Sequence, residues 1–409
     1  MRLCILAETY PSTTQTFVYE SVEWLRGAGH EVAVVTEHRG DPPGAEAARF
    51  PARLVPPWLG WGKKLARMGI DPLRAAGAVR SARRWTGKSG WTASEIAARA
   101  LLEPLRQAEF ILAHFGPLGS RWLPVAGVAR RPFAVFFHGY DATADLRKRP
   151  SLYAGLIRAG VAGITNSEYI RQCLVRAAGY PGDRIGVVPM GVSSELFAEA
   201  ERPELTSRRI LSIARLVPKK GLSDSLRAFA QALPMLGDDW RYQIVGDGPL
   251  MAELQALAGS LGLADRVEFS GYLSRADTLA ALRNASVFVL ASRTAPSGDT
   301  EGTPISILEA ACVGLPVVST LHAGIPETLP AEAAAEGWLV PEGAVDGLAA
   351  ALERLGTLEA RRDWGDRCRA RVRSRHSPAA HTEATIEALE RLARIPTAPH
   401  PRPAARAAG

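Results

Sequence analysis

Glu301 and Glu309 lie eight positions apart and enclose Gly302-Thr303-Pro304, a sequence suited to starting a helix. Thr303 is a good N-cap, and Pro304 fits the first helical position, where its missing amide hydrogen is not needed. Gly314 and Pro316 end the segment, so a helix of about ten residues is expected, with the amides of Ile305, Ser306 and Ile307 left unpaired at its start. Such an end attracts anions. Two carboxylates beside it supply acceptor oxygens for hydroxyl groups. Free amides for phosphate and carboxylates for hydroxyls together point to a nucleotide sugar.

A second cationic loop points the same way. Ile210–Ala214 reads as a short buried strand, followed by Arg215-Leu216-Val217-Pro218-Lys219-Lys220-Gly221 and a helical stretch from Leu222 to about Leu233. A strand, a basic loop and a helix start form a phosphate cradle. A departing diphosphate gains charge, and one fixed donor aimed at it is worth roughly 3 kcal/mol. Lys219 reads as a solvated neighbour of the pair Arg215 and Lys220. Gln243–Pro249 is a strand ending in a glycine turn at Gly246 and Gly248, and Val267–Tyr272 is another strand edge with Gly271 and Tyr272. Taken alone, both read equally well as plain tight turns.

In the first half, Arg2–Ala7 and Glu31–Thr36 read as strands around a polar loop, Tyr10–Phe17, and a helix ending near Gly29-His30. This β-α-β opening lacks G-x-G-x-x-G, which argues against a standard dinucleotide site. Pro132–Phe137 is a further strand, followed at once by His138-Gly139-Tyr140-Asp141, and Ala113-His114-Phe115-Gly116 lies upstream. A polar residue at the carboxyl end of a parallel strand is a usual site position. The plainer reading of His138 is a turn histidine capped by Asp141, and His114 reads as a positioning or packing residue. Thr165-Asn166-Ser167 follows another apolar run, with Ser167 equally explained as a helix cap.

The spacing of Glu301 and Glu309, with Gly298-Asp299-Thr300 before it and Gly314–Thr320 and Gly324-Ile325-Pro326-Glu327 after it, resembles the E-x7-E signature of the retaining glycosyltransferases of family 4. The loop carrying Thr16-Phe17 resembles the exopolysaccharide, colanic-acid-type branch of that family. The resemblance covers roughly residues 1–390. It implies that Glu301 contacts donor-sugar hydroxyls, that Glu309 holds the donor ribose, and that Arg215 and Lys220 stabilise the leaving diphosphate. His138 would lie near the donor sugar and assist transfer. Gly246, Gly248, Gly302, Thr303, Pro304 and Ile305 would border the donor, with Gly271 and Tyr272 beside the nucleobase and the amides after Pro304 on the diphosphate. Ser12, Thr13, Thr14 and Gln15 would form the acceptor-side loop.

The implied fold is α/β, two doubly wound Rossmann-like domains facing across a cleft, named GT-B. Residues 1–195 would form the acceptor-side domain with a basic, Trp-containing insertion at about 56–92, and residues 196–378 the donor domain; a helix at 379–395 would cross back, and 396–409 would be a disordered tail. The implied reaction moves a hexosyl unit from a nucleoside-diphosphate sugar to a sugar hydroxyl of a lipid-linked glycan in polysaccharide biosynthesis, with retention. Domain closure would exclude water. No D-x-D sequence occurs, so no metal and no cofactor is expected, the cations carrying the diphosphate instead. Two alternatives share the fold: a nucleotide-sugar epimerase, and a non-catalytic sugar-binding or scaffold protein of an envelope glycan assembly complex. The Glu301-to-Glu309 text favours transfer.

Composition agrees. The 409 residues predict two or three domains, and 47% hydrophobic with 22% charged residues is ordinary for a globular chain. Strands alternating with helices give the α/β class. The net charge of +7 favours anionic partners. Much of it is local: Trp58, Trp61, Lys63, Lys64, Arg67, Arg74, Arg80, Arg83, Arg84, Lys88 and Trp91 are interrupted by Asp71 as the only acid between Lys63 and Lys88. Interleaved indoles and cations suit contact with an anionic membrane, and equally a solvated helical insertion with basic faces. No nucleic-acid module accompanies them, so nucleic acid is not an expected partner. Cys4, Cys173, Cys312 and Cys368 lack metal-ligand spacing and read as reduced thiols. With no secretory signal and no spanning segment, the expected location is cytoplasmic, with the inner face of the plasma membrane as the peripheral site.

Overall fold

The computed structural model describes residues 1–12, 15–40, 48–49, 72–85, 90–198 and 203–395. Thr13, Thr14, the tail from Pro396, and Trp58, Trp61, Lys63, Lys64, Arg67 and Lys88 of the basic insertion lie outside these residues. The chain packs as two units. The first holds Met1–Thr165, Arg171–Val188 and the chain from Thr382; the second holds Asn166–Ile170 and Pro189–His381.

In the first unit the strands are β1 (Arg2–Tyr10), β2 (Glu31–Arg39), β3 (Ala48–Arg49), β4 (Phe110–His114), β5 (Phe133–Phe137), β6 (Ala162–Thr165) and β7 (Ile185–Val187). They form one parallel sheet in the order β3-β2-β1-β4-β5-β6-β7, with Leu3 beside Phe110 and Ile111 beside Phe133. β4 and β5 are buried at every position, as unbroken apolar runs must be when both faces of a parallel sheet are covered. The order reverses between β1 and β4, so their carboxyl ends open at a topological switch point.

The second unit repeats the plan with β8 (Arg209–Ile213), β9 (Arg241–Val245), β10 (Val267–Gly271), β11 (Val287–Leu290), β12 (Val317–Thr320) and β13 (Leu339–Val340). Their order is β10-β9-β8-β11-β12-β13, again parallel, with the switch point between β8 and β11. The helix after β8 runs Leu222–Leu236, past the expected Leu233, and contains Pro234. A proline in the last turn removes one hydrogen bond there and ends the helix soon after. Gly221 precedes this helix at φ +59°, and a Cβ on it would lie 1.7 Å from the Ala291 carbonyl oxygen. Only glycine allows β8's loop to approach the end of β11 so closely.

The division falls at Val188 and Pro189, ahead of the expected 195/196 boundary. His376 Nδ1 bonds the Met190 carbonyl at 2.7 Å, and His381 Nδ1 bonds that of Pro189 at 2.7 Å. These bonds tie the entering segment to the second unit. Helix Pro378–Ala393 begins in the second unit and belongs to the first from Thr382 on. Its Ala388 sits against Gly186, where a Cβ would be 3.1 Å away.

Candidate functional site

The second unit gathers its polar groups at the carboxyl ends of β8, β9, β11 and β12. The turn Pro218–Lys220 after β8 places two adjacent lysines against the loop after β11. Lys220 Nζ lies 2.7 Å from Glu301 Oε1, with both side chains largely buried. Burial pushes the Glu301 carboxyl up, but the Lys220 and Lys219 ammoniums outweigh it and hold the group below its ordinary range. Glu301 is therefore an anion at neutral pH.

Lys219 corrects the solvated reading. It is buried, with Nζ 3.1 Å from Asp299 Oδ1 and 3.2 Å from the Thr300 carbonyl oxygen. It fastens the loop whose next residue is Glu301. A tight 3-10 turn turns consecutive side chains apart, so one lysine builds the loop while the other reaches its carboxylate.

The helix that follows runs Ile305–Val313, with Pro304 as its N-cap and no side-chain cap. This displaces the expected Thr303 cap and Pro304 start. Thr303 Oγ1 instead donates to the Asn166 carbonyl at 3.4 Å, so its hydroxyl is not aimed at the helix amides. Ile307 is not open either, because its amide donates to the Pro304 carbonyl at 3.1 Å. The amides of Ile305 and Ser306 have no acceptor among the described residues. Gly302 sits beside Gly324, whose amide bonds its carbonyl at 3.2 Å.

Glu309 is buried one and a half turns into this helix, and an arginine meets it. Arg275 Nη1 lies 2.5 Å from Glu309 Oε1, while Nη2 donates to Ser193 Oγ at 2.6 Å. Burial raises the Glu309 carboxyl, and Arg275 offsets part of that rise.

Arg215 is exposed and makes no ion pair among the described residues. Its neighbours are pinned: Ala214 N bonds Val245 O at 3.0 Å, and Leu216 N bonds Asp247 O at 2.9 Å. The glycine turn permits this. A Cβ on Gly246, at φ +132°, would stand 1.9 Å from the Ala214 carbonyl oxygen, and one on Gly248 2.6 Å from that of Leu216. Gly246 N also bonds Gly271 O at 2.8 Å, and Tyr272 beyond it is 75% exposed.

The first unit has its own cluster. His114 ends β4, His138 follows β5, and His114 Nδ1 lies 3.0 Å from His138 Nε2. The His138 ring stacks on Phe136 with centroids 4.5 Å apart and meets Phe115 at 4.6 Å and Phe17 at 4.7 Å. Asp141 accepts the amides of His138 and Gly139 at 3.0 Å each and that of Gly116 at 2.9 Å. The capping role read for Asp141 is thus present, and His138 projects into an aromatic cage beside a second histidine. Phe115 holds φ +73° and ψ 137°, a costly conformation for a residue with a side chain. Ser12 and Gln15, half-buried, close a turn through Gln15 N and Ser12 O at 3.2 Å.

Residues 14–196 match the family model described as Glycosyltransferase Family 4, and residues 194–371 match Glycosyl transferases group 1. WcaL of Salmonella typhimurium, named as a colanic acid biosynthesis glycosyltransferase, is 32% identical over 376 residues, covering 88% of this chain and 91% of that protein. The chain belongs to glycosyltransferase family 4. This family 4 glycosyltransferase is also 32% identical over 379 residues to the amylovoran biosynthesis glycosyltransferase AmsK of Erwinia amylovora, covering 88% of this chain and 92% of AmsK. Its fold resembles that of Anabaena HepE, crystallised with UDP and glucose, at a TM-score of 0.66 and 18% identity over 95% of this chain and 99% of that one. The fold is GT-B. Family membership decides for the transferase against the epimerase and the scaffold.

Four polar residues that meet near the ends of the second unit's strands were assigned no role from sequence: Asp299, Arg275, His322 and Glu342. Asp299 and His322 lie within or beside the motif segments, two positions before Glu301 and before Gly324. Arg275 and Glu342 carried no local signal, because their partners lie far off in sequence. No group of three or more His, Cys, Asp or Glu able to hold a metal ion occurs among the described residues.

Proposed function

We propose that this glycosyltransferase transfers a hexosyl unit, with retention, from a nucleoside-diphosphate sugar to a sugar hydroxyl of a lipid-linked glycan in polysaccharide biosynthesis. The Lys220–Glu301 pair at the start of helix Ile305–Val313 carries the reading. The names of WcaL and AmsK support the polysaccharide context.

In this mechanism Glu301, kept anionic by two lysines, accepts hydrogen bonds from donor-sugar hydroxyls. Glu309 accepts those of the ribose. Lys220, Arg215 and the amides of Ile305 and Ser306 meet the diphosphate and stabilise the charge that grows on it as the anomeric bond breaks. No side chain serves as a covalent nucleophile; the departing phosphate takes the acceptor's proton, and His138 assists near the sugar. Gly246, Gly248, Gly271 and Tyr272 border the nucleotide, Gly302 to Ile305 the phosphates, and the loop Ser12 to Gln15 the acceptor. Metal independence belongs to the same proposal, since fixed cations already occupy the leaving-group position.

Membrane contact is the finer part of the reading. Trp91 does not support it: the ring packs edge-on against Trp122 at 5.4 Å, with the Arg99 guanidinium 3.9 Å from its centroid. Arg74, Arg80, Arg83 and Arg84 remain exposed on an acid-free stretch with Leu73 81% exposed. Nearby, a cavity of about 690 Å³ has Leu123, Phe133 and Leu392 in its walls and Arg84, Arg130 and Arg131 among its lining. Cations around apolar walls suit anionic lipid at the inner face of the plasma membrane. No helix among the described residues is long and apolar enough to cross a membrane.

The test is a thermal-shift screen against UDP, GDP, ADP and their hexose conjugates, with and without EDTA. Selective stabilisation by one nucleotide, lost in Arg215→Ala and Glu309→Ala and unchanged by EDTA, is expected. No shift with any nucleotide would overturn the donor site.

A further inference from the structure

His322 follows β12 and is almost completely buried, at 1% exposure. Its two ring nitrogens serve two loops. Nε2 lies 3.1 Å from the Glu301 amide nitrogen, and Nδ1 lies 2.6 Å from Glu342 Oε1. Glu342, just past β13, also accepts the Thr294 amide at 2.8 Å and the Thr294 hydroxyl at 3.3 Å. The imidazole therefore bridges the loops that leave β11, β12 and β13.

The chemistry of the partners dictates its protonation. A backbone amide only donates, so Nε2 must present a lone pair to Glu301. A carboxylate only accepts, so Nδ1 must carry the proton. One form satisfies both: the neutral ring protonated at Nδ1. Burial pushes the Glu342 carboxyl up, and the Thr294 amide and the imidazole outweigh it and hold the group below its ordinary range. Glu342 is thus an anion able to hold the proton on Nδ1.

Glu301 is then gripped from both sides, its carboxylate by Lys220 at 2.7 Å and its main chain by His322. We infer that His322 is a positioning residue for Glu301, acting as the Nδ1–H tautomer that Glu342 orients. The inference rests on the proposed contact between Glu301 and the donor sugar. It assigns His322 no contact with substrate. A group that only positions Glu301 matters where Glu301 works, at the sugar, and not at the nucleotide.

Dissociation constants for the bare nucleotide and its hexose conjugate, taken from UDP and UDP-glucose or GDP and GDP-mannose as the screen selects, separate these effects. His322→Ala is expected to weaken the sugar nucleotide at least fivefold while the bare nucleotide stays within twofold. Glu342→Gln, which keeps a hydrogen-bond acceptor but loses the charge, is expected to fall between. Imidazole ¹⁵N NMR of the full chain is expected to show His322 protonated at Nδ1 and bare at Nε2, and provides a readout even if His322→Ala does not fold. An Nε2–H tautomer or an imidazolium at neutral pH would overturn the inference. So would equal weakening of both ligands, or of neither, in His322→Ala. Glu301→Gln keeps the two failures apart: if it weakens the sugar nucleotide and His322→Ala does not, the positioning role falls and the site stands; if Glu301→Gln changes nothing, the site reading itself falls.

Discussion

Lys220 Nζ and Glu301 Oε1 stand 2.7 Å apart although 81 positions separate them, and each largely buries its charge against the other. The cation and the carboxylate to which the proposed mechanism gives the leaving group and the donor sugar are thus held as one ion pair. Removing either leaves the other buried and unpaired. Lys220→Ala is expected to lower kcat about 100-fold, the loss seen when one transition-state donor is removed. Glu301→Gln combined with Lys220→Ala should cost less than the two separate losses added. Steady-state release of the nucleoside diphosphate in the four-membered cycle measures this; additive losses would deny the coupling.

Lys219 should behave differently from its neighbour. Its bonds to Asp299 and the Thr300 carbonyl are structural. Lys219→Ala is expected to destabilise the protein by about 1–3 kcal/mol through a half-buried Asp299 carboxylate left without its cation. Urea unfolding would show it, with a smaller fall in kcat than for Lys220→Ala.

Gly246→Ala forces a Cβ to within 1.9 Å of the Ala214 carbonyl at φ +132°. Loss of more than ~2 kcal/mol of stability is expected, since backbone must move on both sides. Calorimetry of this variant beside Gly259→Ala, where a Cβ meets nothing within 4 Å, gives the comparison.

Arg275 offsets part of the rise that burial imposes on the Glu309 carboxyl. In Arg275→Ala the carboxyl should rise further, so its charged form is present at high pH and lost earlier as pH falls. Nucleotide affinity is expected to weaken toward acid in both proteins, with the fall beginning at higher pH in the variant. Isothermal titrations at several pH values test this, and superimposed profiles would refute it.

Burial lowers the His376 imidazole to about 4, and His381 shifts in the same direction. The folded value lies below the unfolded one, so the unfolded chain takes up protons first as pH falls. Stability is full above the ordinary histidine range and declines below it, with about 2 kcal/mol lost from His376 alone by pH 5. Thermal unfolding from neutral pH downward should show the decline, and His376→Gln, which can still donate to the Met190 carbonyl, should flatten it.

Sequence alone determined the α/β class and the position of the loops at the strand ends. Buried parallel strands need unbroken apolar runs, as in β4 and β11, and glycines recur where strands turn into helices. These are properties of neighbouring residues, so they are written locally. The E-x7-E spacing and the Arg215 to Lys220 loop are equally local. What only the tertiary structure decided was which polar groups meet. Lys219 and Lys220 are identical in type and adjacent, yet one fastens Asp299 and the other faces Glu301, because the turn between them aims each at a loop about eighty residues away. Arg275 reaches Glu309, and His322 joins Glu301 to Glu342, for the same reason. In a doubly wound sheet, loops distant in sequence converge at the carboxyl ends of adjacent strands. The partner of a charge there is set by strand order and register, which no local pattern of residues records.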